Sequence, residues 1–155
     1  MDASELGEFL DTGVAMLGAS ADIQLMPEAF RVWGATVGDG GTLRALVSFD
    51  AGRTLSTLRD GSRICFVFTD ITTFRSVQVK GTVTGDPQPP GPADAATLRR
   101  YEERFGPALE SVGHPPRLLA RLHPAAVFAA SVVIESLYDQ TPGPSAGNTL
   151  GFGRA

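Results

Sequence analysis

The chain has 155 residues, a net charge of −4 and a pI of about 5.1, and 43% of its residues are hydrophobic against 19% charged. An acidic chain of this length is most simply one domain, and its charge argues against nucleic acid or an acidic membrane surface as a partner. The single cysteine, Cys65, excludes an internal disulfide and suits a reducing compartment. Because the N-terminus lacks a basic and apolar leader and no apolar run is long enough to cross a bilayer, we predict a cytoplasmic location.

The first half of the chain alternates strands and turns and contains one helix. The hydrophobic pattern predicts strands at 12–21, 28–37, 42–49 and 62–70. The sequence GDGG at 38–41 predicts a hairpin between the second and third of these strands. Between 50 and 61, Asp50 as an N-cap and Gly61 as a C-cap enclose two leucines three residues apart, which predicts a short helix.

The second half continues with a long strand, a proline-rich connector, a helix and a final strand. The pattern places the strand at 72–84, the connector at 85–94, the helix at 92–105 and the final strand at 122–138. Pro92 suits the first turn of the helix, and Pro107 is expected to end it. Residues 140–155, rich in Gly and Pro, are predicted to form an extended or disordered tail, so that the folded domain covers 1–139.

Tight links between the strands predict an antiparallel sheet, with two helices interposed. Closing that sheet into a barrel removes the unpaired edges that an open sheet exposes. We therefore predict a mainly β, α+β fold, a six-stranded antiparallel barrel. Side chains fill the interior of so small a barrel, so a ligand would bind outside it or between two subunits.

The stretch TTFRSVQVKG, residues 72–81, carries polar side chains on one face of its strand. Alternation along a strand divides the side chains between two faces. The inward set is Arg75 at the rim, Val77 and Val79, and the outward set is Phe74, Ser76, Gln78 and Lys80. Two interpretations remain open for the outward set. It faces water, as one side of an antiparallel sheet commonly does, or it faces a ligand that its hydroxyl, amide and ammonium groups hold by hydrogen bonds.

Three segments together resemble the flavin-binding split β-barrel family of the pyridoxamine 5′-phosphate oxidases and their relatives. They are PEAFRVWGATVGDGGTLRALVS (27–48), AGRTLSTLRDGSRICFVFTD (51–70) and FRSVQVKG (74–81), the last being similar to the family's R-Q-V-x-V-x-G strand. The resemblance covers roughly residues 12–85 and rests on the order and spacing of the segments. It implies a split β-barrel with FMN in a groove at the interface of a homodimer.

The resemblance also implies which residues bind the cofactor. They are Ser48, Arg53 and Thr54 at a strand–loop–helix corner that holds the flavin phosphate, and Arg75, Ser76, Gln78 and Lys80 along the long strand. The corner also makes chemical sense without the resemblance. A helix N-terminus offers unpaired N–H groups to an anion, and an arginine adds a bidentate fork to phosphate.

The chain departs from the family's pattern in two informative places. Ser76 stands where the family has glutamine, and the C-terminus lacks the Trp and Arg residues with which the pyridoxamine phosphate oxidases bind pyridoxal phosphate. That argues against pyridoxamine phosphate oxidation. We predict an FMN-binding oxidoreductase that transfers hydride or electrons between flavin and a reduced nucleotide or small organic substrate, with catalytic residues unidentified. The alternatives are a deazaflavin-dependent reductase on the same fold, or a non-catalytic haem- or small-ligand-binding protein.

The remaining chemistry-bearing residues form no recognisable constellation. His114 and His123 have no ligating neighbours in the sequence, and no metal site is predicted from two histidines and one cysteine. In the haem alternative His123 would be the axial ligand. Cys65 is interpreted as a small core residue, and Trp33 as a core residue or a flat surface beside the cofactor, with the core favoured.

Overall fold

A computed structural model describes residues 1–22, 24–48, 56–119, 121, 124 and 126–152 of the chain. The strands, numbered in chain order, are β1 Ala15–Ala21, β2 Pro27–Gly38, β3 Thr42–Ser48, β4 Arg63–Thr69, β5 Ser76–Val83, β6 Val127–Asp139 and β7 Thr149–Leu150. The helices are α1 Ala3–Leu10, α2 Pro92–Ser111 and α3 Pro116–Leu119.

Six of the strands close into an antiparallel barrel. They follow one another in the order β3, β2, β1, β4, β5, β6, and β6 pairs with β3 to complete the ring. Every neighbouring pair is antiparallel. The predicted fold class is therefore confirmed, and closure leaves none of the six strands with an open edge. The GDGG hairpin is confirmed as well, because a 3-10 turn at Asp39–Gly41 joins β2 to β3.

Alternating side chains of the barrel strands fill its interior. Along β4, Ile64, Phe66 and Phe68 are buried while the residues between them are exposed or half-buried. Along β5, Val77 and Val79 are buried on the same inner side. Because neighbouring strands keep this alternation in register, the apolar halves of all six strands meet in one core.

The N-terminal helix α1 was not predicted. Asp2 and Glu5 form a capping box, in which the Glu5 N–H donates to Asp2 Oδ1 at 2.9 Å and the Asp2 N–H donates to Glu5 Oε2 at 2.8 Å. Leu6, Phe9 and Leu10 are buried on its inner face. Their i, i+3, i+4 spacing is the local signal that the sequence analysis passed over.

Helix α2 is longer than predicted, because Pro107 lies inside it and the helix ends at Ser111. A proline removes one backbone hydrogen bond, but packing on both sides of it keeps the helix together. The stacked rings of Tyr101 and Phe105 are buried before Pro107, and Leu109 packs against the core after it. The expectation that Pro107 ends the helix was wrong.

Strand β5 is shorter than predicted, because residues 72–75 belong to a turn. The Asp70 carboxylate accepts hydrogen bonds from the backbone N–H and hydroxyl groups of Thr72 and Thr73, which closes the turn. These bonds hold the pKa of Asp70 below its usual range, the Thr72 hydroxyl being the largest cause. The strand begins only at Ser76, so Arg75 stands at its rim.

The structure describes only part of two predicted segments, the helix at 50–61 and the tail at 140–155. The first half of the predicted helix at 50–61, residues 50–55 with Arg53 and Thr54, lies outside the described residues, and of the second half residues 56 and 57 are helical. In the predicted tail, residues 140–152 contain β7, which pairs with β6, and a loop hydrogen-bonded to Ser76 of β5. Among the described helices, none is long and apolar enough to span a membrane.

Candidate functional site

The outer face of β5 carries the polar row Ser76, Gln78 and Lys80, and the inner face carries Val77 and Val79. Val77 is 2% exposed and Val79 is fully buried. On the outer side, burial falls along the row from Ser76, which is buried, through Gln78, which is half-buried, to Lys80, which is exposed. The predicted division of β5 into two faces is confirmed.

Ser76 is held firmly at the start of the row. Its hydroxyl lies 2.9 Å from that of Thr69 and donates to the Phe74 carbonyl at 3.0 Å. Its backbone N–H donates to the Thr141 hydroxyl at 3.1 Å, and its carbonyl accepts from the Gln140 N–H at 2.8 Å. A short side chain with these partners is fixed in place and leaves little freedom to reach for a ligand.

Gln78 and Lys80 continue the row with weaker contacts. The Gln140 amide donates to Gln78 Oε1 at 3.4 Å, which is a long hydrogen bond. The Lys80 ammonium lies 4.8 Å from the centroid of the Tyr138 ring, a cation–π contact. Both side chains therefore keep donors that a ligand on this face can use.

Cys65 also lies on this outer face. It pairs in register with Lys80 and is half-buried, so the expectation that it is a core residue was wrong. Burial raises the pKa of the Cys65 thiol, and the Lys80 charge and a hydrogen bond with Gln78 oppose that rise. The thiol is thus protonated at neutral pH and is a weak nucleophile.

Two cavities open along β5. The first, called here the end cavity, measures about 270 Å³ and is lined by Met1, Glu5, Arg75, Ser76, Val77, Asp139, Thr141 and Leu150. The second, the outer-face cavity, measures about 260 Å³ and is lined by Ala19, Ser20, Ala21, Arg63, Ile64, Cys65 and Lys80. The row Ser76, Gln78, Lys80 thus begins in one cavity and ends in the other.

The end cavity gathers charges from distant parts of the chain. The Met1 ammonium lies 3.6 Å from Glu5 Oε2 and donates to the Gly151 carbonyl at 3.1 Å. The Asp139 carboxyl accepts from the Thr141 N–H at 2.8 Å. Hydrogen bonds from Thr141, then Ser145, hold the pKa of Asp139 below its usual range, and the nearby Arg75 charge acts in the same direction. Glu5, Asp139 and Thr141 were not predicted from the sequence as site residues.

Arg75 lies with its guanidinium carbon 4.9 Å from the ring centroid of Phe9, a buried residue of α1. Ser48, by contrast, lines neither cavity, and its hydroxyl donates to the Arg31 carbonyl at 3.0 Å. The structure therefore brings Arg75 and Ser76 into one cavity and places Gln78 and Lys80 along the same face. Ser48 lies neither in that cavity nor on that face of β5. The predicted phosphate-binding roles of Arg53 and Thr54 stay predictions.

A second polar cluster lies between β2 and α2. The Arg31 guanidinium carbon sits 4.6 Å from the Trp33 ring centroid and 5.1 Å from that of Phe105. Trp33 is 7% exposed, which places it in the core, and burial raises the pKa of Tyr101 to about 12. Arg31 Nε, Trp33 Nε1 and the Tyr101 hydroxyl are buried without a hydrogen-bond partner in the described part of the chain. The adjoining cavity, lined by Tyr101 among others, has a volume of about 10 Å³, room for one water.

No group of three or more His, Cys, Asp or Glu side chains among the described residues is placed to hold a metal ion. His114, which follows α2, lines neither cavity. His123 lies outside the described ranges.

The chain is similar in structure to several solved proteins. No protein-family model and no curated protein matches the chain. A putative pyridoxamine 5′-phosphate oxidase from Lactobacillus delbrueckii matches with a TM-score of 0.50 and 17% identity over 86% of this chain and 90% of its own. An F420 reductase matches with a TM-score of 0.52 and 17% identity over 84% of this chain and 93% of its own.

The haem-storage protein HutZ from Vibrio cholerae matches with a TM-score of 0.50 and 15% identity, over 90% of this chain and 95% of its own. At these identities the likeness shows a shared fold and does not carry over any one ligand.

Proposed function

We propose that this chain, whose fold is that of the pyridoxamine 5′-phosphate oxidase-like split barrels, binds a flavin-type cofactor and uses it for hydride or electron transfer. The observation that supports the proposal best is the row Ser76, Gln78 and Lys80 on the outer face of β5, which connects two cavities. FMN is the first candidate, and a deazaflavin is the second because an F420 reductase shares the fold.

The residues of the row supply what an isoalloxazine ring requires of its site. The ring edge carries carbonyl oxygens and nitrogens that need donors, and the Gln78 amide and Lys80 ammonium provide them. When bound, the cofactor supplies the hydride or electron chemistry. Lys80 places a positive charge on the binding face, which stabilises an anionic ring or a phosphate there. Cys65 stays a neutral thiol beside it.

The sizes of the cavities support a site shared by two copies of the chain. Ligand sites for molecules of this size occupy about 300–1,000 Å³. The end cavity at about 270 Å³ and the outer-face cavity at about 260 Å³ each fall below that range. Leu17, on the outer face of β1, is 58% exposed beside this surface. A second barrel against this face would cover Leu17 and deepen the groove, so we propose a homodimer.

The absorption spectrum of the purified protein tests the cofactor directly. A flavin spectrum, or saturable uptake of added FMN with quenching of flavin fluorescence, supports the proposal. Uptake of a deazaflavin but not FMN favours the reductase alternative. A Soret band from added haem with no flavin uptake contradicts both and favours a haem-binding protein.

We expect Lys80→Ala to weaken FMN binding several-fold to about tenfold at low salt, as the loss of a largely solvated charge pair does. The loss of affinity should shrink between about 10 mM and about 1 M salt, because the Debye length falls from about 30 to about 3 Å.

Gln78→Ala should weaken FMN binding by about 0.5–1.5 kcal/mol with little salt dependence, since a neutral hydrogen bond is removed. Fluorescence titration of FMN measures both effects.

Arg99→Ala is the matched control, because Arg99 is exposed on α2, carries the same charge and lines neither cavity. It should bind FMN as the unmodified chain does. Normal FMN binding by Lys80→Ala at low salt would return the outer face of β5 to the solvated interpretation.

Light scattering should report a dimer at micromolar concentrations. Leu17→Glu should convert it to a monomer, because a charge would be placed in the centre of the proposed interface. Leu118→Glu provides the comparison, since Leu118 on α3 is also exposed, at 41%, and belongs to another surface. A monomeric unmodified chain would refute the shared groove.

A further inference from the structure

Four charged groups line the end cavity, and among them Arg75 has no side-chain hydrogen bond or ion pair within the described parts of the chain. The other three charged groups are engaged: the Met1 ammonium and Glu5 lie 3.6 Å apart, and Asp139 accepts a hydrogen bond from Thr141. Asp139 is close enough to Arg75 for its pKa to respond to the guanidinium charge, but the two form no ion pair. Two cations and two carboxylates line the cavity, so its formal charge is balanced, and Arg75 is distinguished by guanidinium donors that no other described group occupies.

The surroundings of Arg75 hold it in position and leave it accessible. Its guanidinium carbon lies 4.9 Å from the centroid of the buried Phe9 ring, a cation–π contact that restricts the side chain. Arg75 is exposed, so an anion reaches it from solvent without a barrier. The planar fork matches the two oxygens of a carboxylate, and preorganisation lowers the entropy lost on binding.

The rest of the cavity limits the size and character of the ligand. The end cavity, at about 270 Å³, has room for a small organic molecule, since about 10–15 Å³ of the same measure already holds one water. Val77 and Leu150 supply apolar wall, and the carboxylates of Glu5 and Asp139 oppose every anion, a dianion more strongly than a monoanion. A dianion such as phosphate is disfavoured for the same reason.

We propose that the end cavity is a binding subsite for a small organic monocarboxylate with an apolar body, and that Arg75 binds its carboxylate. Ser76 lines the end cavity and also begins the row along β5, so the subsite lies beside the proposed cofactor site. Its role as the substrate subsite of the oxidoreductase rests on the proposed function. The binding itself does not depend on a cofactor.

Benzoate and benzamide are suitable probes, because they share a size and shape and differ in charge. We measure their binding to the full chain by ligand-observed NMR titration, first without and then with FMN. Benzoate should saturate and bind about ten- to hundredfold more tightly than benzamide, as hydrogen bonds to a charged group do. Arg75→Gln should remove that preference, and Arg75→Lys should restore only part of it, since the fork is lost.

Arg59→Gln is the control variant, because Arg59 is exposed, lines neither cavity and changes the net charge by the same amount. It should leave benzoate binding unchanged. The subsite is refuted if benzoate and benzamide bind equally, if Arg75→Gln binds benzoate normally, or if Arg59→Gln loses as much as Arg75→Gln. Arg75-dependent benzoate binding in a chain that takes up no flavin would sustain the subsite and refute the proposed function. Flavin uptake without benzoate binding would support the proposed function and refute the subsite.

Discussion

Val77→Asp is expected to abolish cooperative folding. The Val77 side chain is 2% exposed and faces the barrel interior, where its register partner on β4 is the fully buried Phe68. An unpaired carboxylate there costs several kcal/mol even if it takes up a proton. A domain of this size is typically stable by only about 5–15 kcal/mol, so the loss removes much or all of the stability. Circular dichroism and urea denaturation at neutral pH measure it.

Val67→Asp is the matched control, because the same substitution is made on the adjacent strand but on the outer face. Val67 is half-buried and pairs in register with Gln78. Water reaches that side of the sheet in a single barrel, so at concentrations where the chain is monomeric the carboxylate stays hydrated and the loss of unfolding free energy should be much smaller. Equal losses for the two variants would mean that β5 and β4 do not divide into an inner and an outer face.

Asp94→Ala is expected to destabilise the chain by about 2–3 kcal/mol. The Arg44 guanidinium donates to Asp94 Oδ1 at 2.6 Å and to Oδ2 at 2.7 Å, and the Gly91 N–H donates to Oδ2 at 2.8 Å. These bonds attach the start of α2 to β3. Breaking a buried ion pair costs about 3–5 kcal/mol, and the partial exposure of Arg44 lowers that figure because water replaces part of the interaction.

Asp94 is 5% exposed and the Arg44 side chain is 38% exposed, so the Arg44–Asp94 ion pair is only partly buried and its loss should cost less than that of a fully buried pair. Asp86→Ala, an exposed carboxylate with one long hydrogen bond at 3.5 Å, should change the free energy of unfolding by no more than about 0.5 kcal/mol. Urea denaturation compares the two variants. A loss at Asp94 no greater than at Asp86 would show that the ion pair does not anchor α2.

The contribution of Asp94 should also depend on pH. A hydrogen bond from Arg44 is the largest cause that holds the pKa of Asp94 below its ordinary value. A carboxyl with a lowered folded-state pKa contributes stability above its unfolded value of about 3.9, and that contribution is lost as the pH falls through the folded value. The difference in unfolding free energy between the unmodified chain and Asp94→Ala should therefore be constant near neutral pH and shrink below about pH 4. An unchanged difference at pH 3 would contradict the ion-pair account.

Local chemistry made several features predictable from the sequence. The two-residue period of FRSVQVKG alone predicts that Val77 and Val79 face inward and that Gln78 and Lys80 face outward. GDGG predicts its hairpin because glycine adopts the left-handed backbone that the turn requires, as Gly40 does with φ of +69°. The α1 helix, which was not predicted, carries equally local signals in its capping box and its apolar spacing.

Other features depended on neighbours that no local pattern identifies. The run RICFVFT is apolar at its centre, and only Arg63 and Thr69 at its two ends mark the face that also carries Cys65. The register of Cys65 against Lys80 on β5 and Ala19 on β1 places that face outside. Pro107 predicts a helix end by its own chemistry, but burial of the rings before it and of Leu109 after it outweighs the one lost hydrogen bond.

By itself the sequence determined the six barrel strands, the GDGG hairpin, and the two faces of β5 with its polar row. The tertiary structure decided where a ligand could bind. Glu5, Arg75 and Asp139 come from the two ends and the middle of the chain, and they line one cavity because α1 and the segment after β6 both lie against the start of β5. Each of these side chains is an ordinary surface charge in its local sequence. Their hydrogen-bond and ion-pair partners, and therefore which side chain keeps free donors for a ligand, are set by contacts between elements that are far apart along the chain.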